Sequence, residues 1–114
     1  MSQHSKDFAT TDTDIPNATQ ANREWVVDPD RAMKGPPSAS FKFNNTTGIQ
    51  ITVYKRPPSG SDRFVDKSPT ITDTEYAWVP TNGVFDLPAN WKLVFVFGQL
   101  AGKTVEGTVF WLEA

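Results

Sequence analysis

Cysteine is absent from this 114-residue chain, which removes disulfides, thiolate-bound metals and a cysteine nucleophile together. Extracellular domains this small commonly depend on disulfides, so the composition points to an intracellular protein. Histidine occurs once, as His4 in a polar stretch. A Ser-His-Asp relay needs its base held in place by a third group, and a lone tail histidine does not supply that. No apolar run approaches the roughly 20 residues that cross a bilayer as a helix. The longest run is Leu93 to Phe97, and the opening MSQHSKDFATTDTDIP holds no apolar signal-peptide core. The expected location is therefore cytoplasmic, with any export by a non-classical route. No Walker-type or dinucleotide glycine pattern occurs, so no phosphate loop is expected. The formal charge is −2, and nucleic acid is not an expected partner for a chain without a basic surplus. The only Asp-x-Asp pairs, Asp12 with Asp14 and Asp28 with Asp30, do not continue into a calcium loop. No metal and no cofactor is expected.

Aromatic residues are plentiful, at 12% of the chain, and turn formers are frequent, with 7 Gly and 9 Pro. Residues 1–37 carry few large apolar groups and read as an irregular arm that cannot bury enough surface to offset the entropy of ordering. Within the arm, Trp25, Val26 and Val27 form one short apolar run that could add a strand to the sheet edge of a neighbouring copy. From Ser38 onward the apolar residues alternate with a period of two. Phe41 and Phe43 share a face, as do Ile49, Ile51 and Val53. Asn44-Asn-Thr-Thr-Gly48 between them reads as a hairpin loop. Trp91 to Phe97 is apolar on both faces and reads as a central strand. Runs at 63–65, 70–72, 75–79, 84–87 and 103–112 complete the pattern, and nowhere do apolar residues repeat at helical spacing. The expected fold is all-β: an antiparallel β-sandwich, or small barrel, of about seven or eight strands over residues 38–114.

The stretch YKRPPSGSDRF, residues 54–64, concentrates cations and aromatics beside a stiff Pro-Pro step and a flexible Ser-Gly-Ser turn. One reading is a solvated hairpin loop. The other is an anion or partner contact in which Arg56 and Arg63 act as bidentate donors and Tyr54 adds an aromatic surface. Trp78 and Trp91 stand at strand ends, where indole can stack on a sugar or close the core. Tyr54, Arg56, Arg63, Trp78 and Trp91 are thus the candidate ligand-binding residues, and Trp25, Val26 and Val27 the candidate assembly residues. No catalytic residue is assigned.

Gly83 to Asn90, GVFDLPAN, resembles the opening of the calcium-dependent bacterial fucose/mannose lectins. That family holds sugar and calcium in a later acidic loop. No run of Asp and Asn of that kind follows Asn90 here, so the resemblance brings no ligand set with it.

These features point to a non-catalytic binding or assembly module that engages a carbohydrate, a protein partner or another copy of itself, and so to a homo-oligomer. Two alternatives remain: a small barrel enzyme using carboxylate or Tyr/Arg side chains, and a membrane-surface protein docking through exposed Trp and Phe.

Overall fold

The computed structural model describes residues 3–9, 23–80, 85, 87–100 and 102–114. Among these residues eight strands form two antiparallel four-stranded sheets: β1 (Gln3–Ala9), β2 (Arg23–Val27), β3 (Ser38–Phe43), β4 (Gln50–Arg56), β5 (Arg63–Lys67), β6 (Glu75–Trp78), β7 (Lys92–Gly98) and β8 (Val105–Leu112). One sheet runs β1-β8-β3-β6 and the other β2-β7-β4-β5. Strand 1 pairs with 8, 2 with 7, 3 with 6 and 4 with 5. That nesting is the order of a jelly roll: a long antiparallel ribbon wrapped around one core. The all-β sandwich expected from the period-two pattern is the observed fold.

Two features depart from the sequence reading. First, residues 3–9 and 23–27, assigned there to an irregular arm, are edge strands of the sandwich, and only six of the eight strands lie beyond residue 37. β1 leaves little trace in the sequence because it sends little into the core. Phe8 turns inward while the other face of the strand stays polar, as edge strands commonly do. β2 contributes Trp25 and Val27, both buried. Second, Asn44 to Gly48 does not close a hairpin. β3 and β4 lie in different sheets, so this loop arches from one sheet to the other. Phe43 and Ile49 both face the core, a requirement that facing strands satisfy as well as paired ones do. Asn45 Oδ1 accepts the Thr47 amide at 2.9 Å, and Gly48 adopts φ 76° to complete the arch. Of the run expected at 84–87, Val84 and Asp86 lie outside the described residues, and Leu87 forms an isolated bridge with Met33.

The core is aromatic where the sheets meet. Trp25 stacks on Phe8 at 4.6 Å and meets Phe97 edge-on at 4.7 Å, while Phe41 contacts Phe95 and Phe97 edge-on. Gly107 makes this possible. It lies between Phe8 of β1 and Phe41 of β3 in register, and a Cβ there would collide with the Ser40 carbonyl oxygen. Strand β7 is central and covered on both faces, as its sequence implied. Leu93, Phe95 and Phe97 face the core, and Val94, on the opposite face, has no accessible surface.

Candidate functional site

The wrapping brings the C-terminal end of β4, the N-terminal end of β5 and the start of β7 to one end of the second sheet. Residues 57–62 join β4 to β5 as a true hairpin loop. Pro57 is buried, Pro58 is exposed and Gly60 turns the chain at φ 99°. The neck of this loop is closed by Arg56. Its Nε donates to Asp62 Oδ1 at 2.8 Å and its Nη2 to Asp62 Oδ2 at 3.0 Å, a two-point fork on one carboxylate. Nη2 also reaches Glu24 Oε2 at 3.5 Å. Glu24 on β2 aligns with Val96, and Arg56 on β4 aligns with Lys92, so the pair spans β7 with Val94 midway beneath it. Val94 is fully buried on the face turned away from the core, with Val26 and Tyr54 beside it in register.

The electrostatics follow from this clamp. The hydrogen bond from Arg56 holds the Asp62 carboxyl below the usual carboxylate range, against the opposing effect of burial. The guanidinium is held charged beyond its ordinary ionisation, chiefly by Asp62, with burial opposing and Glu24 adding to it. The sequence reading makes Arg56 a donor to a ligand, but in the structure its Nε–Nη2 edge is occupied by Asp62, with Nη2 also reaching Glu24.

Lys55 and Arg63 are different. They face each other in register, on the side of the sheet that carries Leu93 and, two residues earlier, Trp91. The Arg63 guanidinium carbon sits 5.0 Å from the Trp91 ring centroid, and Lys55 Nζ sits 5.8 Å from it. Neither cation has a carboxylate partner among the described residues. Trp91 is half-buried, packed against the core below and held under two cations above. Both contacts are cation–π in geometry, each worth about 0.5–1 kcal/mol at exposed positions. On the opposite face of the hairpin, Tyr54 meets Phe64 edge-on at 6.3 Å, and Phe64 is 56% exposed. A bulge between Val53 and Tyr54 sets this register and turns Phe64 outward beside Tyr54.

The structure therefore brings together Arg63 and Trp91 of the sequence-derived set and adds Lys55 to them, places Tyr54 with Phe64 on the other face of the same hairpin, and leaves Arg56 as a structural clamp. The spacing carried a signal for Lys55 but not for Phe64, whose pairing follows the bulge. Lys55 and Arg63 flank the loop at equal distance from its Pro-Pro and Ser-Gly-Ser halves, as do Arg56 and Asp62. Trp78 is not part of this group. It lies at the end of β6, an edge strand of the other sheet, with Tyr76 as its ring neighbour at 6.5 Å. Trp25, Val26 and Val27 form β2 within their own sheet. Trp25 is 3% exposed and Val27 wholly buried, so this strand is committed to the protein's own core.

The group holds charge and aromatic surface but no nucleophile–base pair. His4 is elsewhere: its Nε2 lies 3.2 Å from Glu113 Oε2, and its ring stacks on Trp111 at 5.7 Å. Among the described residues no cluster of three or more His, Asp or Glu side chains is placed to hold a metal ion, and no helix is long and apolar enough to cross a membrane. No protein-family model, no curated protein and no solved structure matches this chain.

Proposed function

We propose that this protein is a non-catalytic binding module whose contact surface is the β4–β5 end, with Lys55 and Arg63 as the charged contacts, Trp91 as the platform that holds them and Phe64 with Tyr54 as the apolar border. The observation that supports this most is the pair of cations stacked on one indole with no carboxylate partner among the described residues. Arg56 keeps the loop carboxylate, Asp62, occupied, so the positive potential at Lys55 and Arg63 is not cancelled from within the loop. A half-desolvated indole also lowers the entropy lost when these long side chains engage a ligand. The partner class that fits is one with negative charge displayed at a surface, such as a sulfated or carboxylated carbohydrate. A jelly roll says nothing by itself about ligand, and the reading stands on the side chains alone.

The test is retention of the protein on an immobilised sulfated polysaccharide at low salt. The chain, with formal charge −2, is expected to be retained, and the double variant Lys55→Gln/Arg63→Gln to pass through. Equal retention of the two would remove the reading.

A further inference from the structure

The outer face of the β1-β8-β3-β6 sheet forms an open trough of about 980 Å³ that crosses all four strands. The register places Asp7, Thr108, Ser40 and Ala77 in one row across it, and Ala9, Glu106, Lys42 and Glu75 in the next. The small side chains of the first row leave the floor low. The rim is acidic: Asp7, Glu75 and Glu106 stand against the single cation Lys42. Asp7 is oriented by Thr108, whose hydroxyl donates to it at 2.7 Å. Further along β8 on the same face, Phe110 and Leu112 are exposed at 37% and 41%, so an apolar strip continues from the trough.

The other pole of the molecule offers the complement. The β4–β5 end projects two cations and the exposed Phe64 from a different sheet and from the opposite end of the sandwich to the acidic row. We infer that the occupant of the trough is the β4–β5 end of a second copy of this chain, with Lys55 and Arg63 set against Glu75 and Glu106, and Phe64 against the apolar strip. This names the partner for the contact surface proposed above and rests on that reading. The two patches differ, so the contact is head-to-tail and propagates into a ring or a filament rather than closing as a dimer. Opposed charges make it salt-sensitive: between about 0.01 M and about 1 M salt the screening length falls from about 30 Å to about 3 Å.

Sedimentation velocity of the full chain tests this, with two variants whose substitutions are at exposed or, for Lys55, half-buried positions. Lys55→Glu/Arg63→Glu makes both patches acidic, and Glu75→Lys/Glu106→Lys makes both basic. The unmodified protein is expected to form species larger than a dimer at low salt that dissociate to the 12.7 kDa monomer at high salt. Each variant alone is expected to stay monomeric, with an unchanged β-sheet circular-dichroism spectrum. An equimolar mixture of the two variants is expected to recover assembly, because each acidic end then finds a basic trough and each basic end an acidic one. A monomeric unmodified protein at low salt, assembly by either variant alone, or a monomeric mixture overturns the proposal. Retention of the unmodified protein and of Lys55→Gln/Arg63→Gln on the sulfated polysaccharide separates the two readings. If the unmodified protein is monomeric but is retained, and that variant is not, only the self-partner fails. If the two are retained equally, the cationic contact surface itself fails.

Discussion

Arg56 shows how one side chain can change role once its surroundings are known. Its sequence neighbours, two prolines and a glycine-containing turn, mark it as a loop cation free to meet a ligand. The structure gives it two carboxylates instead, one six residues away and one on a different strand. The Asp62 carboxyl ionises below its ordinary value because the guanidinium hydrogen-bonds its charged form. A depressed carboxyl contributes stability above its unfolded ionisation, near pH 4, and that contribution is lost as pH falls through the lower folded value. Asp62→Asn is therefore expected to cost about 1 kcal/mol at pH 7, a modest figure because the pair is about one-third exposed and screened by solvent. Urea unfolding of parent and variant at neutral and strongly acidic pH checks this. The difference is expected to shrink in acid, and a pH-independent difference would show that the clamp is not what the variant removed. Gly107 makes the complementary point. Its place between Phe8 and Phe41 admits no side chain, so Gly107→Ala is expected to cost about 2–3 kcal/mol in the same measurement through overpacking against backbone. The forbidden Cβ was not legible in the sequence, since it depends on strands brought together from distant parts of the chain, whereas the fork on Asp62 is local and only the Glu24 contact is distant.

At the level of strands, legibility followed the number of faces buried. β7, apolar on both faces, was visible from its residues alone, and β3 and β4 were visible from strict alternation. β1 was not, because a strand that places one aromatic ring in the core leaves no alternating signal. Partnering was harder still. Phe43 and Ile49 show only that both sides of the Asn44–Gly48 loop face one core, and facing sheets and paired strands satisfy that equally. The candidate contact surface was half legible. The stretch 54–64 was marked by composition, but which of its cations is free was decided by the fork of Arg56 on Asp62, with Glu24 of β2 adding to it. A chain beginning at Ser38 would lack Phe8, Trp25 and Val27. Losing a large core aromatic costs about 3–5 kcal/mol, against a total stability of about 5–15 kcal/mol for a typical domain. The shortened chain is expected to show no cooperative thermal transition by circular dichroism. A sharp melt near that of the full chain would mean that β1 and β2 are ornaments on an independent domain.

Across the whole molecule, a nearly balanced charge is divided into poles. The formal total is −2, yet Lys55 and Arg63 meet on one indole while Asp7, Glu75 and Glu106 line the opposite sheet. Binding through such a pole depends on where the cations are and not on how many the chain contains. The measurement that separates these is elution from immobilised sulfated polysaccharide on a salt gradient, comparing Lys55→Gln/Arg63→Gln with Lys42→Gln/Lys67→Gln. Both variants remove the same charge, and Lys42 and Lys67 are exposed and lie towards the far end of the sandwich. The first variant is expected to elute without retention and the second at the salt concentration of the parent. Equal losses in the two variants would show that net charge alone governs retention, and that the β4–β5 end has no special part in it.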